Sequence, residues 1–178
     1  MKVVIINGKG GVGKDTFVVM CKDVLGAECV YNISTVDFVK EVAEMCGWDG
    51  TKTPKNRKFL SDLKDLLTEW DDVPLKKVTA NAIACAGCSE VLGNLNKSVV
   101  FIHCREPKEI EKLVEVFKDN VATLLIRRSE AEAVEQINHA DNDVLNYAYD
   151  YTIWNDSTLS WLRNEAVVFL RDYLKLDI

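Results

Sequence analysis

The chain has 178 residues, 48% of them hydrophobic and 28% charged, with a formal net charge of −6. That length suits one domain around a single core, and an acidic balance without a basic block argues against a nucleic-acid partner. No apolar run approaches a membrane span and the run before Asn7 is too short for a signal-peptide core, so the six cysteines are expected as reduced thiols in a cytoplasm.

"KVVIIN" (Lys2–Asn7) is a continuous apolar run that stops at a glycine loop, the pattern of a strand buried on both faces. Beyond the loop, Phe17, Met20, Cys21, Val24 and Leu25 recur at helical spacing, and Gly26 ends that helix. "ECVYNIS" (28–34) predicts a second strand, and Phe38, Val42 and Met45 form one face of the next helix. After the loop "GWDGTKT", Thr53 reads as an N-cap with Pro54 at the first helical position. Phe59, Leu60, Leu63, Leu66, Leu67 and Trp70 give that helix a clear apolar stripe. A further helix begins near Pro74 and carries the only C-x-x-C, Cys85 and Cys88, read as small residues of a helix because no second pair completes a zinc site.

"SVVFIHC" (98–104) predicts the third strand, and Ile110, Leu113, Val114 and Phe117 line the helix that follows. "VATLLIRR" (121–128) predicts the fourth, with a capping box from Ser129 to Glu132 behind it. "YDYTIWN" predicts the fifth, and Leu159, Leu162, Ala166, Phe169 and Leu170 mark the last helix. Strands alternating with helices over short connections define an α/β class, a five-stranded parallel sheet flanked by helices in three layers. The whole chain, 1–178, reads as one domain, with a helical insertion at about 34–95 and a short lid-like segment at about 127–149.

The chemistry concentrates in "GKGGVGKDT" (8–16). A dinucleotide fingerprint would need an acid at the end of the second strand, where Tyr31-Asn32-Ile33-Ser34 offers none. A partition-type ATPase would use Lys9 in a partner's site, but its acidic switches are not found after the second and third strands. A phosphate-binding loop explains the residues. Gly8, Gly10, Gly11 and Gly13 let backbone N–H groups turn inward around a polyphosphate, Lys9 and Val12 complete the turn, and Lys14 reaches the terminal phosphates. Asp15 stands where a hydroxyl usually serves magnesium; either its carboxylate, directly or through water, or the Thr16 hydroxyl can do so.

Arginine, whose fork matches phosphate oxygens, occurs at Arg57, Arg105, Arg127, Arg128, Arg163 and Arg171. The first four lie at predicted strand ends or at the start of the insertion helix.

The G-x-x-x-x-G-K-D-T loop resembles that of phage-type deoxynucleoside monophosphate kinases and their adenylate-kinase-like relatives, in which an aspartate after the lysine is normal. "VDFVKEVAEMCGWDGTKTPKNRKFLSDLKDLL" is similar to their substrate-side segment and "FIHCREPKEIEKL" to their third strand, with His103 where the phage enzymes tend to have aspartate. "YDYTIWNDSTLSWL" resembles the N-D-G-x-L turn that lines the donor base, with Ser157 in place of the glycine.

The resemblance implies a P-loop kinase fold and transfer of phosphate from ATP, with Mg2+, to a nucleoside or deoxynucleoside monophosphate. It implies Lys14, Arg127 and Arg128 as catalytic, and the loop (8–16) with Asn155, Asp156 and Ser157 as the ATP site. Arg57 and Arg105 would hold the acceptor, with Lys40 and Asp37 beside them, although Asp37 equally suits a plain acid at a helix start. No nucleic acid or membrane is expected, and the protein would be a monomer or homodimer. A kinase of another phosphorylated metabolite, such as a dephospho-coenzyme A-like acceptor, and an ATP-binding switch without transfer remain the alternatives.

Overall fold

A computed structural model describes residues 1–133 and 143–178. Strands β1 (Lys2–Asn7), β2 (Val30–Ser34), β3 (Val99–His103), β4 (Val121–Arg127) and β5 (Tyr151–Trp154) form one sheet in the order β2-β3-β1-β4-β5. Every neighbouring pair is parallel, so each connection must cross the sheet, and helices supply the crossovers. β1 lies in the middle and is buried from Val3 to Ile6, as its unbroken apolar run requires.

Side-chain alternation divides the core in two. Val4 and Ile6 join Phe101, Leu124 and Ile126 beneath α1 (Lys14–Leu25) and the last helix, Leu159–Val168. Val3 and Ile5 join Val100 and Ile102 on the other face, beneath α4 (Val73–Val91) and α5 (Pro107–Phe117). The result is the expected three-layer α/β arrangement. Phe17 is fully buried and meets Phe101 and Phe169 edge-on, with ring centroids 6.2 and 5.8 Å apart. Because it follows Lys14 by three residues, this packing fixes the helix start that carries the lysine.

Between β2 and β3 stand α2 (Asp37–Met45), α3 (Pro54–Asp71) and α4. Thr53 does cap α3, its hydroxyl accepting from Asn56 N at 3.2 Å, with Pro54 in the first turn. The leucine stripe of α3 behaves differently from the expectation. Leu60, Leu63 and Leu67 are half-buried, Phe59, Leu66 and Trp70 are exposed, and Lys64 is the one buried residue of the helix. The helix packs chiefly on α2 and α4 rather than into the sheet, so a periodic apolar face has only half a surface to cover.

Other boundaries shift by local chemistry. Residues Ala27–Cys29 turn as a 3-10 helix before β2, and β4 ends at Arg127. The capping box does not form. Ser129 Oγ instead donates to Asp156 at 2.7 Å and Glu132 pairs with Arg127, so both side chains leave the short helix α6 (Ser129–Glu132). Of the expected lid-like segment, 134–142 lies outside the described residues. Cys85 and Cys88 are free thiols on α4, half-buried and exposed respectively. Among the described residues no helix is long and apolar enough to cross a membrane.

Candidate active site at the phosphate-binding loop

The loop leaves the central strand at the C-terminal edge of the sheet, where α/β folds hold their ligands. Asn7, fully buried at the end of β1, opens it. Its Oδ1 accepts from Gly8 N at 2.8 Å, while its Nδ2 donates to the Arg105 carbonyl at 3.1 Å and to Tyr149 Oη at 2.6 Å. Tyr149 in turn donates to Val144 O at 2.8 Å. One amide therefore ties the loop to the end of β3 and to the segment before β5. Sequence reading passed over both residues; the available signal was a polar residue closing an apolar strand.

Gly8, Gly11 and Gly13 have φ of 145°, 81° and 98°, conformations closed to most side chains, and Val12 is buried as the loop's anchor. Gly13 leads into α1 without a capping side chain, so the amides of the first turn face an open cleft. That cleft has a volume of about 240 Å³ and is lined by Gly11, Gly13, Lys14, Asp15 and Thr16. The Lys14 ammonium donates to the carbonyls of Gly8 and Lys9, at 2.5 and 2.9 Å, which holds a positive charge directly over the loop. Amides, helix terminus and ammonium converge as an anion site.

The Asp15 side chain is 88% exposed and lies 3.7 Å from His103 Nε2. His103 closes β3, and its Nε2 meets Asn32 Oδ1 at 2.8 Å, so that nitrogen carries the hydrogen. Burial lowers the His103 pKa; Lys14 and Arg105 push the same way, and Asp15 and Asp37 oppose them. A largely neutral imidazole thus stands beside the cleft.

On the β5 side, Asn155 Nδ2 donates to Val12 O at 2.9 Å and fixes the loop's back. Asp156 accepts from Ser129 N and Oγ, both at 2.7 Å, joining the turn before the last helix to the end of β4; Ser157 stands exposed in that turn. Arg127 is gripped at 2.8 and 2.6 Å by Glu132 and lies over the Trp154 ring, 4.0 Å from its centroid. The Arg127 hydrogen bond holds the Glu132 carboxyl below its ordinary range, and Lys9 adds to the effect. Arg128 pairs with Glu130 at 2.8 Å. Trp154 and Glu132 had not been singled out as site residues; an exposed tryptophan closing a buried strand was the legible hint.

On the β2 side, Asp37 Oδ2 accepts from Ser34 N at 2.7 Å, and Lys40 Nζ lies 3.5 Å from its Oδ1. This is the geometry of an acid ordering a helix start. Arg105 joins the loop through its backbone, and Arg57 is exposed in the first turns of α3.

The chain matches no protein-family model, and no curated protein matches it in sequence. Its likeness is to solved structures. A gluconokinase from Sinorhizobium meliloti superposes with a TM-score of 0.54 at 14% identity, over 98% of this chain and 94% of that one. A shikimate kinase from Aquifex aeolicus gives 0.49 at 10% identity, over 96% and 97%, and an APS kinase from Mycobacterium tuberculosis 0.43 at 13%, over 96% of each. At such identities the fold alone carries over. That fold, with a five-stranded parallel sheet and the phosphate-binding loop after its central strand, is the P-loop kinase fold.

Proposed function

We propose that this protein transfers the γ-phosphoryl group of ATP to a nucleoside or deoxynucleoside monophosphate, giving ADP and the diphosphate. The observation that carries the reading is the loop itself, with Lys14 held over uncapped amides at the start of α1. In the transfer, an oxygen of the acceptor's phosphate bonds to the γ-phosphorus as the β–γ bridge breaks, and the bridging electron pair leaves with ADP. Phosphoryl transfer needs positioning and charge stabilisation more than covalent chemistry. Lys14 and the loop amides orient the β- and γ-phosphates. Asn155 keeps the loop closed behind them, and Trp154 with Arg127 offers a flat face for the donor base. An ionised acceptor oxygen requires no strong base, which suits a site where, among the described residues, the neighbouring His103 imidazole is held by Asn32.

The residues also suit magnesium. Asp15 and Thr16 present a carboxylate and a hydroxyl on the cleft wall, both hard oxygen donors. Among the described residues no cluster of three or more metal-binding side chains occurs. When bound, magnesium neutralises charge on the β- and γ-oxygens. Asp15→Asn is expected to raise the magnesium requirement by on the order of tenfold while binding of metal-free ATP, followed by calorimetry, stays unchanged. If both change alike, Asp15 is structural and Thr16 serves the ion.

The acceptor class rests on Arg105 beside the loop and Arg57 on the insertion, cations that a simple ATP-binding switch has no need of. ADP release is measured with ATP, magnesium and a panel of ribo- and deoxyribonucleoside monophosphates, dephospho-coenzyme A and gluconate. Transfer to a monophosphate supports the reading, and transfer only to gluconate or dephospho-coenzyme A replaces it. Arg105→Ala should raise the acceptor KM roughly tenfold or more, with little change in the KM for ATP. If only the ATP parameters move, the acceptor lies elsewhere.

A further inference from the structure

The only buried residue of α3 is a lysine, and it is not isolated. Lys64, 9% exposed, donates to Glu106 Oε1 and to Glu109 Oε2, at 2.5 and 3.0 Å. Glu109 is 4% exposed in the first turn of α5. The Cys104 thiol donates to the same Oε2 at 3.5 Å, and Oε1 has no hydrogen-bond partner. Burial acts to lower the Lys64 pKa, but Glu109 and Glu106 together raise it, so the ammonium stays charged.

Stability alone does not account for this cluster. Apolar side chains of similar volume usually replace a buried ion group without loss, and a leucine at this position would continue the stripe of Leu60, Leu63 and Leu67. What the cluster does provide is a fixed register between two elements. Lys64 meets the start of α5, and eight residues later Asp72 accepts from Lys112 at 2.6 Å, further along α5. The two contacts follow the same order along α3 and α5. Arg57 precedes Lys64 by two turns, on the same face to within about 20° and about 10 Å away along the axis. Arg57 is thus carried on the face of α3 that Lys64 ties to the start of α5. Glu106, the other partner of Lys64, directly follows Arg105, whose carbonyl is held by Asn7.

We propose that Lys64 is a positioning residue for the phosphate acceptor: by gripping Glu106 and Glu109 it holds α3, which carries Arg57, against the segment that follows Arg105, and so keeps the two arginines in place for the acceptor. The inference rests on the kinase reading above and assigns to Lys64 no contact with substrate.

Steady-state kinetics on the full chain test it, varying ATP and the preferred monophosphate in turn, beside thermal unfolding. Lys64→Met should raise the acceptor KM by roughly ten- to a hundredfold, since small displacements of positioning groups carry effects of that size, with the ATP KM within about twofold of the wild type. Lys64→Arg, which keeps the positive charge and can donate to both carboxylates, should give a smaller rise than Lys64→Met. Glu106→Gln, at a half-exposed position that tolerates exchange, should give a smaller rise in the same parameter and serves if Lys64→Met does not fold. Lys76→Met, which removes an exposed pair between α4 and Asp71 at the end of α3, should leave both KM values unchanged. Unchanged acceptor KM in a folded Lys64→Met, or in Glu106→Gln where the former does not fold, overturns the proposal; so does an equal rise in both KM values. A wild-type protein that phosphorylates no monophosphate overturns the kinase reading instead, and this inference with it.

Discussion

Lys14→Ala should lower turnover by roughly 10²–10³-fold in a protein that still folds. Lys14 is the first residue of α1, and its side chain reaches back over the loop to the carbonyls of Gly8 and Lys9. Gly8 is buried and Lys9 half-buried, so leaving their carbonyls without this donor costs on the order of 1–3 kcal/mol, a loss confined to the loop. Alanine is also a good helix former, and Phe17, which anchors this end of α1, is untouched. The missing charge matters where negative charge is redistributed during transfer, which places the effect on kcat more than on folding. Single-turnover ADP formation and a thermal melt on the same preparation measure both. Near-normal turnover in the folded variant would overturn the assignment of the loop.

Gly8→Ala should damage the fold itself, by about 3 kcal/mol or more. At φ 145° a side chain is strained, and a Cβ would stand 2.3 Å from the Ile126 carbonyl oxygen and 2.8 Å from Val12 Cγ2. Ile126 is a fully buried residue of β4, next to β1 in the sheet, so the obstacle is backbone that cannot swing aside. Gly11 supplies the contrast. A Cβ there meets no atom within 4 Å, so only its φ of 81° is penalised, and Gly11→Ala should cost about 1–2 kcal/mol. Gly13→Ala should fall between them, because its obstacle, 2.5 Å away, is the Asn155 side-chain amide. Urea midpoints for the three variants give the order, and a Gly8→Ala protein as stable as Gly11→Ala would mean that the loop is not pressed against β4.

The sequence by itself determined the layers and the phosphate-binding loop, because both are encoded locally. A run such as Val3–Ile6 can be buried on both sides only in a covered parallel sheet, and the spacing from Gly8 to Lys14 specifies a loop whatever surrounds it. The Thr53 cap was legible for the same reason, since its partner Asn56 is three residues away. Where a side chain had a choice of partners, local pattern failed. Ser129 and Glu132 have the spacing of a capping box, yet Asp156 and Arg127 take them, because charged partners from other strands and turns outcompete a backbone N–H. The stripe of α3 predicted a core-facing helix, but its neighbours α2 and α4 cover only half of it. Nothing in the sequence brought Asn7 to Tyr149, Lys64 to Glu109 or His103 to Asn32, pairs separated by 142, 45 and 71 residues. Such contacts depend on strand order and on which helix faces which. The candidate phosphate-binding loop was readable in the chain, whereas the buried polar groups that hold it in place were decided only by the tertiary structure, since a desolvated donor or charge must find whatever partner the fold delivers.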